Sequence, residues 1–276
     1  MHTARIVLDW LRACIAAFQF LTRLPIPVQI TYTDLVFRRS VIFYPLAGGV
    51  IGLLLLLASE GLSLFLPPLL AAVLLLGLWV VLTGGLHLDG LMDTADGILS
   101  HRSREQMLEI MKDSRVGAMG VIVAVLHLLL KFALLYTLLE SNQWDGATGM
   151  KGYLLLAIVP IWSRWFMTAA IQGWPYARKE SGLGSFFQGV TKWHVAISLI
   201  VALFTTTLFV CFNDAGSDTS VWPIPIYFAC ATWLAGWLIA TYISRKLGGL
   251  TGDTYGALNE LLEAILLLGV IICATP

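Results

Sequence analysis

Charge is scarce in this chain. Only 12% of its 276 residues are Asp, Glu, Lys or Arg, about half the share of a typical soluble domain. The 17 basic and 17 acidic residues cancel, so no net basic field exists for electrostatic binding of nucleic acid. A disordered chain, which would be polar and highly charged, is excluded by the same count. Cysteine is scarce as well. Cys14, Cys211, Cys230 and Cys273 stand singly in apolar stretches, without the paired spacing of a zinc or redox site, and read as small buried hydrophobes. Internal repeats, low-complexity linkers and the paired inverted halves of many secondary transporters are also missing.

What the chain has is apolar length. Hydrophobic residues make up 58% of it and fall in long blocks, which read as membrane spans. Seven blocks are expected to cross, at about 41–59, 63–86, 118–139, 152–172, 194–212, 222–243 and 257–274. Before them, Arg5, Asp9, Arg12, Gln19 and Arg23 recur at helical spacing among Ile6, Val7, Trp10, Leu11, Cys14, Phe18 and Leu21. That pattern predicts an amphipathic helix lying in the membrane interface. The fold class is therefore an all-α, polytopic helix bundle. It is read as one integral membrane domain over 1–276, with 1–40 an interfacial helix and linker and 41–274 the bundle.

Loop charges orient it. Arg5, Arg12, Arg23, Arg38 and Arg39 precede the first span. Arg102, Arg104, Lys112 and Arg115 lie in the 87–117 loop, Arg178, Lys179 and Lys192 in the 173–193 loop, and Arg245 and Lys246 before the last span. These segments hold fourteen of the 17 basic residues, and the alternate loops hold only Lys151. The positive-inside rule puts the N-terminus in the cytoplasm and the C-terminus outside.

The chemistry is concentrated at the end of the second block. Asp89, Asp93 and Asp96 stand at i, i+4 and i+7, which on a helix stacks them on one face. Three like charges persist there more readily when a cation neutralises them or when some of the groups are protonated. Hard oxygen donors without His or Cys favour Mg²⁺ or Mn²⁺ over zinc. A solvated acidic face or a helix cap is the plainer reading. Downstream, Lys112 and Arg115 share a face if their segment is helical, and they suit phosphate oxygens. Positive-inside decoration is the alternative, and it is the better account of Arg102 and Arg104.

A second polar cluster precedes the last block. Gly248, Gly249, Gly252 and Gly256 surround Thr251 and Asp253. Such a loop makes a tight turn whose backbone amides can cradle an anion. Glu260 and Glu263 enter the membrane zone, where carboxylates are functional by default. Together these suggest a second half-site, against capping by Asp253 and an interhelical hydrogen bond from Glu263. Arg164 lies mid-span and needs a carboxylate or a wet cavity. Lys131 fits snorkelling or a structural partner as readily as a functional role. The Arg178–Gly184 loop reads equally as a substrate contact or a flexible turn. His87 and His101 flank the aspartates and suit local hydrogen bonds more than base catalysis. His127 and His194 read as structural.

Several stretches carry a resemblance to a known family. They are Phe18-Gln19-Phe20-Leu21-Thr22-Arg23-Leu24-Pro25, Phe43-Tyr44-Pro45-Leu46-Ala47-Gly48, the run from Gly85 to Gly97, Met111-Lys112-Asp113-Ser114-Arg115-Val116-Gly117, and the run from Gly248 to Ala257. In this order they resemble cobalamin synthase, the adenosylcobinamide-GDP ribazoletransferase family, over nearly the whole chain. The resemblance implies a Mg²⁺-dependent enzyme of the bacterial inner membrane with its active site facing the cytoplasm. It would join adenosylcobinamide-GDP to α-ribazole or its 5′-phosphate and release GMP. The implied partners are the corrinoid nucleotide, the ribazole and the lipid bilayer, with room for a homo-oligomer or association with other corrinoid-assembly enzymes.

Set beside that reaction, Asp89, Asp93, Asp96 and Asp253 are the expected Mg²⁺ ligands. Lys112 and Arg115 would stabilise the phosphate oxygens, and Gly252, Arg164 and Glu260 would contact substrate. Asp96 and Asp253 are both candidates for the base. Two rivals remain. Asp93-Thr94-Ala95-Asp96-Gly97 also fits the start of a CDP-alcohol phosphotransferase motif, but no further aspartate pair follows. A cation or metabolite transporter could use Arg164, Glu260 and Glu263, yet the acidic motifs cluster at one face of the membrane.

Overall fold

In lipid, a helix satisfies every backbone N–H and C=O within its own segment, and Leu, Ala and Met in the long blocks favour it locally. The computed structural model describes residues 2–140, 152–178, 187, 189–213 and 223–274. In chain order these form α1 (His2–Leu21), α2 (Asp34–Ser40), a 3-10 turn (Val41–Phe43), α3 (Tyr44–Ser63), α4 (Pro68–Thr83), α5 (Leu86–Leu99), α6 (Arg104–Ile110), α7 (Ala118–Glu140), α8 (Gly152–Gly173), α9 (Lys192–Asn213), α10 (Pro223–Leu247) and α11 (Gly252–Ala274).

Among the described residues six stretches are long and apolar enough to cross a bilayer: Asp34–Ser63, Ala118–Glu140, Leu154–Gly173, Lys192–Cys211, Pro223–Leu247 and Gly252–Ile272. The second expected block, 63–86, is shorter and broken. Extended Pro67 and the N1 proline Pro68 open α4, as proline's fixed φ allows. Gly84 and Gly85, with φ of 65° and 70°, close it. Two successive left-handed residues are tolerable only for glycine, and they turn α5 by 88° from α4. We read α4 as the crossing segment and α5 as leaving it.

Helix α8 is the axis of the bundle, with 94% of its apolar window buried. Its tightest neighbour is α3. A methyl group on Gly48 would overlap the Pro160 carbonyl, and one on Gly52 the Ala157 carbonyl, so small residues four apart let these backbones touch. Helices α7, α9 and α10 form the periphery and expose Leu126, Leu129, Ile200, Phe204 and Leu234, as lipid-facing sides do. Cys211 and Cys230 also lie on outer faces, and Cys14 is half-buried. The sequence expectation that they are buried fails because each sits on a helix side turned to lipid or interface. In α1, Ala13, Ala16 and Ala17 pack inward while Ile6, Val7 and Leu11 are exposed, giving an apolar outer stripe.

The four basic segments meet at one end. Arg23 donates from its backbone to Leu82 O at 2.7 Å and packs on Gly84, Arg38 packs on Gly189, and Arg104 packs on Gly248. The last two loops are tied by a parallel bridge between Tyr176 and Leu250. In it Ala177 N donates to Leu250 O at 2.8 Å and Leu250 N to Pro175 O at 2.8 Å.

Candidate active site

Two glycines set the site. A methyl group on Gly90 would stand 2.5 Å from the Asp253 carbonyl oxygen, and one on Gly256 would stand 3.1 Å from the His87 carbonyl oxygen. Helices α5 and α11 therefore cross in backbone contact, and the aspartates of α5 face the start of α11. The electrostatics record the convergence. Asp93 is pushed up to about 7, first by burial and then by Asp89, Asp253 and Asp96, with Arg178 opposing. Carboxylates from the two polar clusters, more than 150 residues apart in sequence, thus share one neighbourhood.

The aspartates are not equivalent. Asp96 Oδ2 accepts from Gly117 N at 2.8 Å and Oδ1 from Gly120 N at 2.7 Å. It caps α7 across space, satisfying N–H groups that the helix cannot pair itself. Asp253 is not the cap of α11. That role falls to Thr251, whose hydroxyl accepts from Thr254 N at 3.3 Å while its own N–H donates to Thr254 Oγ1 at 2.8 Å. Asp253 is left to accept from Arg178 Nη2 at 2.8 Å and from Thr251 Oγ1 at 3.3 Å. Arg178 also donates to Met111 O at 3.4 Å, so one guanidinium ties α11 to the end of α6. The bridge positions it. Gly249, at φ 151°, has no room for a side chain against Pro175 and Ala177, which allows the loop carrying Arg178 to dock.

Two cavities flank this ion pair. One, of about 100 Å³, is walled by Phe20, Tyr44, Met167, Phe187 and Tyr255, with Asp89, Gly252 and Asp253 also lining it. The other, of about 480 Å³, is lined by Arg104, Glu105, Glu109, Lys112 and Arg178. Asp253 belongs to the first and Arg178 to the second.

Lys112 and Arg115 do not share a helical face. Helix α6 ends at Ile110 and the chain turns. Lys112 pairs with Glu109 at 3.3 Å and Arg115 with Asp113 at 2.6 Å. Asp113 also accepts from the Arg115 backbone, and these bonds hold its carboxyl at about 2. Only Lys112 reaches a cavity. Arg104, read from sequence as decoration, lines the same one.

Glu260 and Arg164 line neither cavity. They sit in a buried network between α7, α8 and α11. Lys131 donates to Glu260 at 2.8 Å and to Glu263 at 2.5 Å, and His127 lies 2.8 Å from Glu260. Arg164 donates to Glu263 at 2.7 Å. The expected carboxylate partner of Arg164 is thus Glu263, and the Lys131 ammonium also stands over the Trp79 ring, 4.2 Å from its centre.

The chain matches the cobalamin-5-phosphate synthase family over residues 13–271. It belongs to that family. It is 43% identical over 256 residues to the adenosylcobinamide-GDP ribazoletransferase of Desulfitobacterium hafniense (strain Y51), covering 92% of this chain and 94% of that one. It is 40% identical over 255 residues to that of Pseudomonas entomophila (strain L48), covering 92% and 96%. No solved structure matches.

In this member of the cobalamin-5-phosphate synthase family the fold gathers some of the residues expected from the sequence and leaves others apart. Asp89, Asp93, Asp96 and Asp253 are brought together. His87 makes the local contact expected of it, 3.2 Å from Asn259, which stands on the turn of α11 between Tyr255 and Glu263 and to which the sequence assigned no role; Arg178 pairs with Asp253. Residues 179–184 of the Arg178 loop lie outside the described residues. Among the described residues no three of His, Cys, Asp and Glu are close enough as they stand to hold a metal ion. The donor chemistry nevertheless fits a hard divalent cation: burial and then mutual repulsion raise Asp93, and such a charge would relieve the repulsion.

Proposed function

We infer that this chain is an adenosylcobinamide-GDP ribazoletransferase, a membrane enzyme joining adenosylcobinamide-GDP to α-ribazole or its 5′-phosphate with release of GMP. The observation that carries the reading is the Asp253–Arg178 pair at 2.8 Å, set beside the α5 aspartates and between an apolar and a charged cavity. The family match also sets aside the phospholipid-synthase and transporter readings. In the reaction a ribazole hydroxyl oxygen bonds to the corrinoid-side phosphorus of the diphosphate, and the bond to GMP breaks. Arg178, Arg104 and Lys112 offer fixed positive charge to the diphosphate and the departing GMP. Both Asp96 oxygens already accept amide protons, so Asp253 is the better-placed acceptor for the hydroxyl proton.

Asp89, Asp93, Asp253 and Asp96 would hold Mg²⁺, which when bound neutralises diphosphate charge. The distribution of loop charge supports a cytoplasmic N-terminus and an outer C-terminus. On that reading, the site opens on the cytoplasmic side of the bacterial inner membrane.

The test is product analysis on purified protein with adenosylcobinamide-GDP, ribazole phosphate and Mg²⁺, against an EDTA control. GMP and the joined corrinoid should form together, and only with the metal. Asp89→Asn and Asp93→Asn should each abolish GMP release while the protein still inserts in membranes. Near-normal rates in both variants, or in EDTA, would remove the metal assignment.

A further inference from the structure

Among the polar groups on the apolar cavity that the reaction has not used are the His87 ring and the Tyr44 hydroxyl. His87 lines it and is 1% exposed. Its Nδ1 lies 3.2 Å from Asn259 Nδ2, whereas its Nε2 is buried with no hydrogen-bond partner. The buried network fixes which nitrogen carries the proton. Asn259 Nδ2 also lies 3.1 Å from Glu263 Oε1, and that oxygen accepts from Arg164 at 2.7 Å. An oxygen in that position needs a donor, so the amide nitrogen of Asn259 faces it. The same amide then donates to His87 Nδ1, and the proton of the neutral ring sits on Nε2. The wall of an aromatic cavity thereby holds an N–H lacking an acceptor, beside the Tyr44 hydroxyl, which lacks a partner too. Buried donors rarely stay in that state unless a ligand or water completes them.

We propose that this cavity seats the heterocyclic base of the ribazole acceptor, with His87 Nε2–H bonded to the unsubstituted ring nitrogen of that base. The inference rests on the transferase reading and assigns one of its two substrates a place. Ribazole is a riboside of dimethylbenzimidazole: flat, largely apolar, with one nitrogen lone pair left after the other nitrogen bonds the sugar. Phe20, Tyr44, Phe187 and Tyr255 suit its ring faces, and the His87 N–H suits its one acceptor. The other substrate is a poor match. A corrin is far too large for about 100 Å³, and guanine and diphosphate need several polar partners, which the cavity bearing Arg104, Lys112 and Arg178 supplies. Asp89 and Asp253 line the base cavity too, so a base seated there carries its ribose toward the carboxylates.

The experiment compares two acceptors on the purified enzyme with adenosylcobinamide-GDP and Mg²⁺: α-ribazole, and the indole riboside in which the free ring nitrogen is CH. Wild type should show a KM for the indole analogue about ten-fold or more above that for α-ribazole, the size expected for one missing hydrogen bond in a buried site. The donor KM should stay the same. His87→Leu should bring the two acceptors within about two-fold of each other. Asn259→Leu, a positioning change, should erode the same ratio without altering the donor KM. His87→Gln, which keeps an N–H in reach, should retain part of the preference. Failure of wild type to use α-ribazole at all would sink the transferase reading. A wild type that makes product but treats the two acceptors alike, or a His87→Leu enzyme that keeps the wild-type ratio, would overturn the placement of the base and leave that reading intact.

Discussion

A carboxyl group that holds its proton to about pH 7 reports the company it keeps. Asp93 does so because burial and then Asp89, Asp253 and Asp96 oppose its charge. In the unfolded chain it would titrate near 4, so the folded state binds the extra proton. Its favourable contribution is complete below about pH 4 and is lost as pH rises through about 7. A divalent cation should offset that loss. Mg²⁺ is therefore expected to raise the melting midpoint of the detergent-solubilised protein more at pH 8 than at pH 6, and Asp93→Asn should flatten the difference. At this scale the aspartate spacing was legible, because an i, i+4, i+7 pattern fixes a helix face. The division of labour was not. Asp96 is occupied by amides 21 and 24 residues away, and Asp253 is freed by a threonine pair that performs the capping. Arg178 carried no local signal beyond its glycine-rich surroundings.

Among the elements, the crossing of α5 and α11 matters most, because it has no spare room. Gly90→Ala would drive a methyl group into the Asp253 carbonyl. Overpacking of this kind costs roughly 1–3 kcal/mol, and a shift of about 1 Å at a reacting centre can lower rates about 100-fold. The variant should fold and insert, lose some thermal stability, and lose far more of its GMP-releasing rate. Equal and small losses in both would show that the crossing does not set the chemistry. Apolar length announced the spans well, since lipid leaves a helix little alternative. It hid the 88° bend, whose cue is only the Gly84-Gly85 pair. The shared face of Lys112 and Arg115, conditional on a helix there, does not form, because Asp113 folds the chain back onto Arg115.

For the whole molecule, the network of Lys131, Arg164, Glu260, Glu263 and His127 clamps α7, α8 and α11 together below the site. Removing one member strands its partners. Glu263→Gln leaves Lys131 and Arg164 without a shared carboxylate and is expected to cost about 3–5 kcal/mol, read as a lowered unfolding midpoint in detergent. A Glu263→Gln protein as stable as wild type would mean that the network is loosely held. Intramembrane charge was visible in the sequence, but the pairing was not, because Arg164 and Glu263 are 99 residues apart. One dimension remains to be followed outward. Helix α4 has 16 residues, about 24 Å of rise, against a hydrocarbon layer of about 30 Å. Lipid beside it must thin, drawing the headgroup boundary inward toward the aspartates where α5 turns away. In vesicles of graded acyl-chain length, turnover should therefore favour the shorter chains and decline as the bilayer thickens.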